Sequence, residues 1–189
     1  LETILSYISV ISTVGPTMSW VALHRQHHAQ SDREGDPHSS WADGKFNFKE
    51  AIKVWLGYDW KVPAIPVRYI KDLMRSPTHK FIFKNYFKII FAFSAVLLLI
   101  DPALWLFAYV VPASMTVHLI GVVNVLGHYH GYRNHETKDH SSNSWIANIV
   151  SLGEGWHNNH HAKPANYHTG EKWWEWDLMG SLIKLIKID

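Results

Sequence analysis

The chain has 189 residues, enough for one domain or at most two, and with 47% hydrophobic and 18% charged residues it is too apolar for disorder. Eighteen Lys and Arg against 16 Asp and Glu leave a formal charge of +2 with no basic run, so the footprint of a nucleic-acid binder is missing. Without cysteine there is no disulfide framework, thiolate metal site, iron–sulfur cluster or cysteine nucleophile, and any metal must be held by nitrogen and oxygen.

Residues 3–23 carry no formal charge, yet they contain Ser6, Ser9, Ser12, Thr13 and Ser19 and are interrupted at Gly15-Pro16. They are expected to form an interfacial or partly buried helix, and they do not resemble a cleaved signal peptide. His24-Arg25-Gln26-His27-His28 follows. Basic residues then accumulate at Arg33, Lys45, Lys49, Lys53, Lys61, Arg68, Lys71, Arg75, Lys80 and Lys84. Over residues 89–127, by contrast, the sole formal charge is Asp101, and Pro102 beside it resists continuing a helix. Residues 81–100 and 103–126 then each approach the roughly 20 apolar positions that cross a bilayer core of about 30 Å, with Lys84 and Lys88 able to snorkel. The pair is expected to be a membrane hairpin; a buried helix pair in a soluble protein is the bland alternative. Because the turn at Asp101 has no base and the long segment before the hairpin has many, residues 24–80 and 127–189 are both expected on the cytoplasmic face.

The 14 histidines are the unusual part of the composition. His24, His27 and His28 repeat the pattern of His157, His160 and His161, each His-x-x-His-His. Positions i, i+3 and i+4 share a helical face, so each motif is expected to present three imidazoles toward one point. Two triads exceed the needs of one tetrahedral zinc, and the Glu of a His-Glu-x-x-His zinc helix is missing, so a two-metal centre fits better. Imidazole suits iron, copper, zinc and nickel alike. At the end of the second apolar segment, Asn124 and His128 stand four apart; His128 reads as a seventh ligand, and Asn124 as a residue holding a metal-bound water. His118, inside that segment, is expected to hydrogen-bond a neighbouring helix. His38, His79 and His168 are isolated, and His130, His135 and His140 read as part of a solvated loop. Ligating imidazoles normally donate their second N–H to a carboxylate. Asp32, Glu34, Asp36, Asp139 and Glu154 lie near the motifs, and Glu154, three before His157, is the preferred candidate.

Trp20 four before His24, Asp36-Pro37-His38 after His28, Asn124-x-x-x-His128, and Gly153-Glu154-Gly155-Trp156-His157-Asn158-Asn159-His160-His161 together resemble the membrane fatty-acid desaturases of the acyl-CoA and acyl-lipid Δ9 group. The likeness covers nearly the whole chain, with a looser match in Trp173-Trp174-Glu175-Trp176-Asp177. It implies an all-α integral membrane enzyme: a helical hairpin at about 81–126 and a cytosolic helical cap carrying a histidine-rich dimetal site, all within one desaturase domain, 1–189. Carried over by position, the iron ligands are His24, His27, His28, His128, His157, His160 and His161, with Asn124 acting through water and Glu154 behind the ligands. The resemblance implies two ferrous ions, O₂ as co-substrate, a long-chain acyl-CoA or acyl-lipid substrate, and electrons from a cytochrome b5 or ferredoxin. One departure stands out. The family's first motif, His-x-x-x-x-His, has no counterpart before His24, and the chain opens on Leu1, so the sequence is expected to be an N-terminally truncated piece that does not turn over by itself. A hydroxylase of the same histidine-box kind and an inactive metal-binding relative are the rival readings.

Overall fold

The computed structural model describes residues 1–57 and 66–186, so Lys61 lies outside the described residues. They fall into two compact units, one drawn from Leu1–Gln26 and Lys61–His118, the other from His27–Trp60 and Leu119–Asp189.

In the first unit the polar N-terminal segment is two helices, not one. α1 (Glu2–Ile11) ends where Thr13 and Gly15 take positive φ of 62° and 102°, and α2 (Thr17–Gln30) starts after Pro16. The serines do not force α1 into water, because Ser6, Ser9 and Ser12 donate their hydroxyls to the carbonyls of Glu2, Ser6 and Ser9. Val10 packs with Ile82 and Tyr86 of α4 (Pro77–Ile100), and the Gly15 amide donates to the Tyr86 hydroxyl. Met18 and Ala22 of α2 bury Ile70, beside which Arg25 forms a two-pronged ion pair with Asp72.

α4 starts four residues before the expected 81, since Ser76 caps the His79 amide and Pro77 suits the first helical turn. It stops at Asp101, whose extended backbone turns the chain and whose carboxylate accepts from the Ala103 and Leu104 amides of α5 (Pro102–Trp105). The return continues through a π-helical stretch at Leu106–Val110 into α6 (Val111–Leu126). The widened turn falls where Pro112 removes a backbone donor and crowds the preceding turn. The Trp105 indole donates to Ser94 Oγ, and Phe93 meets the Tyr109 ring edge-on, tying the return to α4. Pro77–Ile100 and Pro102–Leu126 are each long and apolar enough to cross a membrane, and Phe91, Leu99, Ile100 and Phe107 lie exposed on them. His118 is exposed as well, and no bond from it to a neighbouring helix is seen among the described residues.

In the second unit, β1 (Trp41–Ala42) pairs antiparallel with β2 (Lys45–Phe46) across Asp43-Gly44, both at positive φ as a tight hairpin turn requires. Asn47 caps α3 (Phe48–Trp55), whose Ala51 and Val54 pack with Val125. Gly121 permits this approach: a Cβ there would stand 2.6 Å from the Trp55 carbonyl oxygen. The remaining helices are α7 (Trp145–Ser151), α8 (His157–Ala162) and α9 (Leu178–Ile186). Asn143 pairs its backbone with both Tyr132 and Trp156 and so seats the chain that enters α8.

Ile82 is fully buried between α1 and α4. Ile82→Ala is expected to cost about 2–5 kcal/mol, read as a lower unfolding midpoint in detergent, whereas Phe91→Ala on an exposed position changes it little.

Candidate metal centre

Consecutive residues on a helix point about 100° apart, so His27 and His28 serve different directions, as do His160 and His161. The structure uses that divergence. His27, His128, His157 and His161 form one group whose ring nitrogens lie within 4.8 Å of one another. Along it, Nε2 to Nε2 distances are 3.2 Å from His27 to His161, 3.1 Å from His161 to His157 and 3.1 Å from His157 to His128. His28 and His160 form a second pair, Nε2 to Nε2 at 2.9 Å, with the His28 ring 4.4 Å from that of His161. The expectation that each motif aims three imidazoles at one point is therefore corrected: the motifs interleave, each giving residues to both groups. His24 lies one turn ahead of His28 on α2 and stacks on Trp20 at 4.7 Å. His128 stands in the turn beyond Leu126, not on α6, and its position depends on that turn and on Trp41, whose indole donates to the His128 carbonyl.

The carboxylates behind the first group fix its protonation. Asp36 Oδ1, Asp32 Oδ2 and Asp139 Oδ2 each stand 2.8 Å from Nδ1 of His27, His128 and His161, respectively. A carboxylate accepts, so each Nδ1 carries the proton and each Nε2 presents a bare lone pair. The lone pairs of His27 and His161, facing one another at 3.2 Å, make no hydrogen bond. A cation among them resolves the repulsion, and metal–nitrogen bonds of about 2.0–2.1 Å place neighbouring ligand nitrogens roughly 3.0–3.4 Å apart. The residues fit a metal. Glu154 is not among these carboxylates; it stands on an exposed turn where the neighbouring charge is Asp177, because it precedes the α8 helix that would have aimed it at the rings. Asn124 is buried on α6, in the last turn before His128.

Burial, then the neighbouring imidazoles, hold three of the rings neutral: the pKa of His28 falls to about 2 and that of His160 to about 4, while His157 lies well below its ordinary value. For His27 and His161 burial also wins, against the opposing pull of Asp36 and Asp139. Burial would push Asp32 and Asp36 up, but their bonds to His128 and His27 and to backbone amides bring both below the ordinary carboxylate range.

The other histidines are engaged elsewhere. His79 is buried between Thr17 Oγ1 and Glu2 Oε1, at 3.0 and 3.1 Å. His168 bonds the Gly170 carbonyl, and His135 bonds Glu171. His38 lies near the His27 ring, His130 is exposed, and His140, read as solvated loop, stacks on Trp41 while its amide donates to Asp32. Two features of the site went unread in the sequence: Trp41, and the asparagines and Glu175 behind α8. A run of buried amides leaves no periodic signal.

The fatty acid desaturase family model matches residues 1–177. The chain belongs to the fatty acid desaturase family. It is 33% identical over its whole length to the sn-1 stearoyl-lipid 9-desaturase of Anabaena variabilis, covering 68% of that protein. Identity is 32% to the sn-1 stearoyl-lipid 9-desaturase of Synechocystis and 31% to the Delta-9 acyl-lipid desaturase 2 of Arabidopsis thaliana, again over the whole chain, with 58% and 61% of those proteins covered. The chain thus spans about half to two thirds of the curated relatives it matches.

A histidine whose folded pKa lies below its unfolded value binds fewer protons folded than unfolded, so its contribution is present above the unfolded value and lost as pH falls. The metal-free chain is therefore expected to lose stability as pH drops from about 6.5 toward the His160 value of about 4. Thermal unfolding at about pH 7.5 and about pH 5 reads this directly, and equal midpoints would show that the rings protonate freely in the fold.

Proposed function

We propose that this chain carries the catalytic part of an oxygen-dependent fatty acyl desaturase that places a cis double bond, at Δ9, in a long-chain acyl-lipid or acyl-CoA. The observation that carries this reading is the pair of interleaved histidine groups, with three Nε2 lone pairs committed by carboxylates. Family membership and the names of the relatives support it.

His27, His128, His157 and His161 would hold one iron, and His28 and His160, with His24 one turn ahead on α2, the other; Asn124 would reach the centre through water. Iron there supplies the O₂ chemistry needed to take hydrogen from an unactivated methylene, which side chains alone do not perform. The balance is two hydrogens from the acyl chain, two external electrons and two protons against one O₂, giving an alkene and two waters. The protein's part is geometry. Asp32, Asp36 and Asp139 keep three imidazoles in one tautomer and orientation. In the same unit an apolar groove of about 570 Å³, lined by Phe46, Phe48, Ile52, Trp55, Leu126 and Tyr129, is suited to an acyl chain. Tyr129 adjoins His128, which brings the groove's wall next to a ligand.

The electrons would come from a cytochrome b5 or ferredoxin, since these 189 residues include no cysteine for a cluster. We assign 77–126 as the membrane hairpin and the histidine-bearing segments to the cytoplasmic face, on the strength of the two apolar helices and the bases that precede them.

Expression of the full coding sequence in a host deficient in unsaturated fatty acids, followed by mass spectrometry of its lipids, is expected to show a new cis-Δ9 monoene; hydroxylated lipids instead would establish the hydroxylase reading. His157→Ala and His160→Ala are each expected to strip iron and abolish product, whereas His79→Ala, which loses bonds to Glu2 and Thr17, keeps the iron content. Equal iron loss in all three would place the centre elsewhere.

A further inference from the structure

α8 has six residues, and a helix that short does not hold its own orientation. Yet the assignment of His157 and His161 to one group and His160 to the other depends on how α8 is rotated about its axis. Two asparagines between those histidines face the opposite way and are almost fully enclosed, Asn158 at 0% and Asn159 at 2% exposure. Asn158 Oδ1 accepts from the Asn134 and His135 amides. Asn143 Oδ1 in turn accepts from the amides of Asn158 and Asn159, a cap supplied from outside the helix. Asn159 uses its whole hydrogen-bonding capacity: Oδ1 accepts from Asn134 and Asn143, and Nδ2 donates to the Thr169 carbonyl and to Glu175 Oε2.

Glu175 ends this chain of bonds. It is 2% exposed, and five donors converge on it: Tyr132 Oη at 2.6 Å and Asn134 Nδ2 at 2.7 Å on Oε1, and Asn159 Nδ2 at 2.8 Å, the Glu171 amide at 2.8 Å and the Lys172 amide at 3.0 Å on Oε2. An acceptor-only carboxylate satisfies all five. A carboxamide does not, because its NH₂ would face Asn134 Nδ2 on one side or Asn159 Nδ2 and two amides on the other.

We propose that Glu175 is a positioning residue for the metal centre: by holding Asn159 on the back of α8 it sets the rotation of that helix, and so which histidine faces which group. The inference rests on the metal reading above and adds to it a residue far from the histidine motifs in sequence.

The test uses the full-length protein loaded with Co²⁺ as a spectroscopic stand-in. Glu175→Gln is expected to change the Co²⁺ absorption spectrum and to weaken Co²⁺ retention against a chelator by about 10–100-fold. Ile82→Ala, which loosens the core of the other unit, is expected to keep the wild-type spectrum and retention. A folded Glu175→Gln that matches wild type in both overturns the proposal, and so does equal loss of Co²⁺ from Ile82→Ala, which would make retention a measure of general stability. Should Glu175→Gln fail to fold, Glu175→Asp retains the charge but draws it back from Asn159; severalfold faster release is then expected, and a wild-type rate overturns the proposal. Wild-type protein that binds no Co²⁺ would bring down the metal reading itself and this inference with it, a result distinct from unchanged binding in the variants.

Discussion

Imidazole has two ring nitrogens, and a carboxylate bonded to one commits the other. Asp32, Asp36 and Asp139 do this for His128, His27 and His161, leaving three Nε2 lone pairs aimed into one small space with the His157 ring alongside. Such an arrangement is repulsive without a cation, and burial removes the water that could relieve it. Much of the second unit answers this constraint. The Trp41 indole holds the His128 backbone, the His140 and His38 amides hold Asp32 and Asp36, and Ser141 and Thr137 hold Asp139.

The polar lattice behind α8 answers the same problem from the other side. Apolar packing would anchor a short helix with little rotational preference, whereas amides and a carboxylate with directional bonds select one rotation. The cost of burying Glu175 is offset by the number of its donors, and each half of the lattice is satisfied through the other. This explains why the histidine cluster is surrounded by so many buried serines, asparagines and acids and so few aliphatic side chains.

The first unit follows a different logic. Its helices bury a modest contact between α1 and α4 and leave long apolar faces exposed, with directional bonds placed at the breaks: Ser76 at the start of α4, Asp101 at the reversal, Ser94 to Trp105 beyond it. Exposed apolar faces of this extent suit a hydrocarbon surround, where backbone groups must be satisfied inside the helix and turns must lie at the ends.

Much of this was legible in the residues. Charge depletion with Asp101-Pro102 at its middle located the helix pair, and the repeated His-x-x-His-His located the histidines that converge, because both are local patterns. Three things were decided by tertiary structure. The triads interleave, since a helix aims adjacent histidines about 100° apart and the second direction has meaning only when another helix meets it. Asp32, Asp36 and Asp139, not Glu154, back the rings, because distance along the chain does not report which carboxylate a folded loop returns to an imidazole. Glu175 joins the centre through Asn159, a contact between residues that share no spacing rule. Sequence alone determined the ligand types and the apolar lengths; only the fold chose partners and directions, because hydrogen bonds between distant side chains depend on position in space and leave no period in the chain.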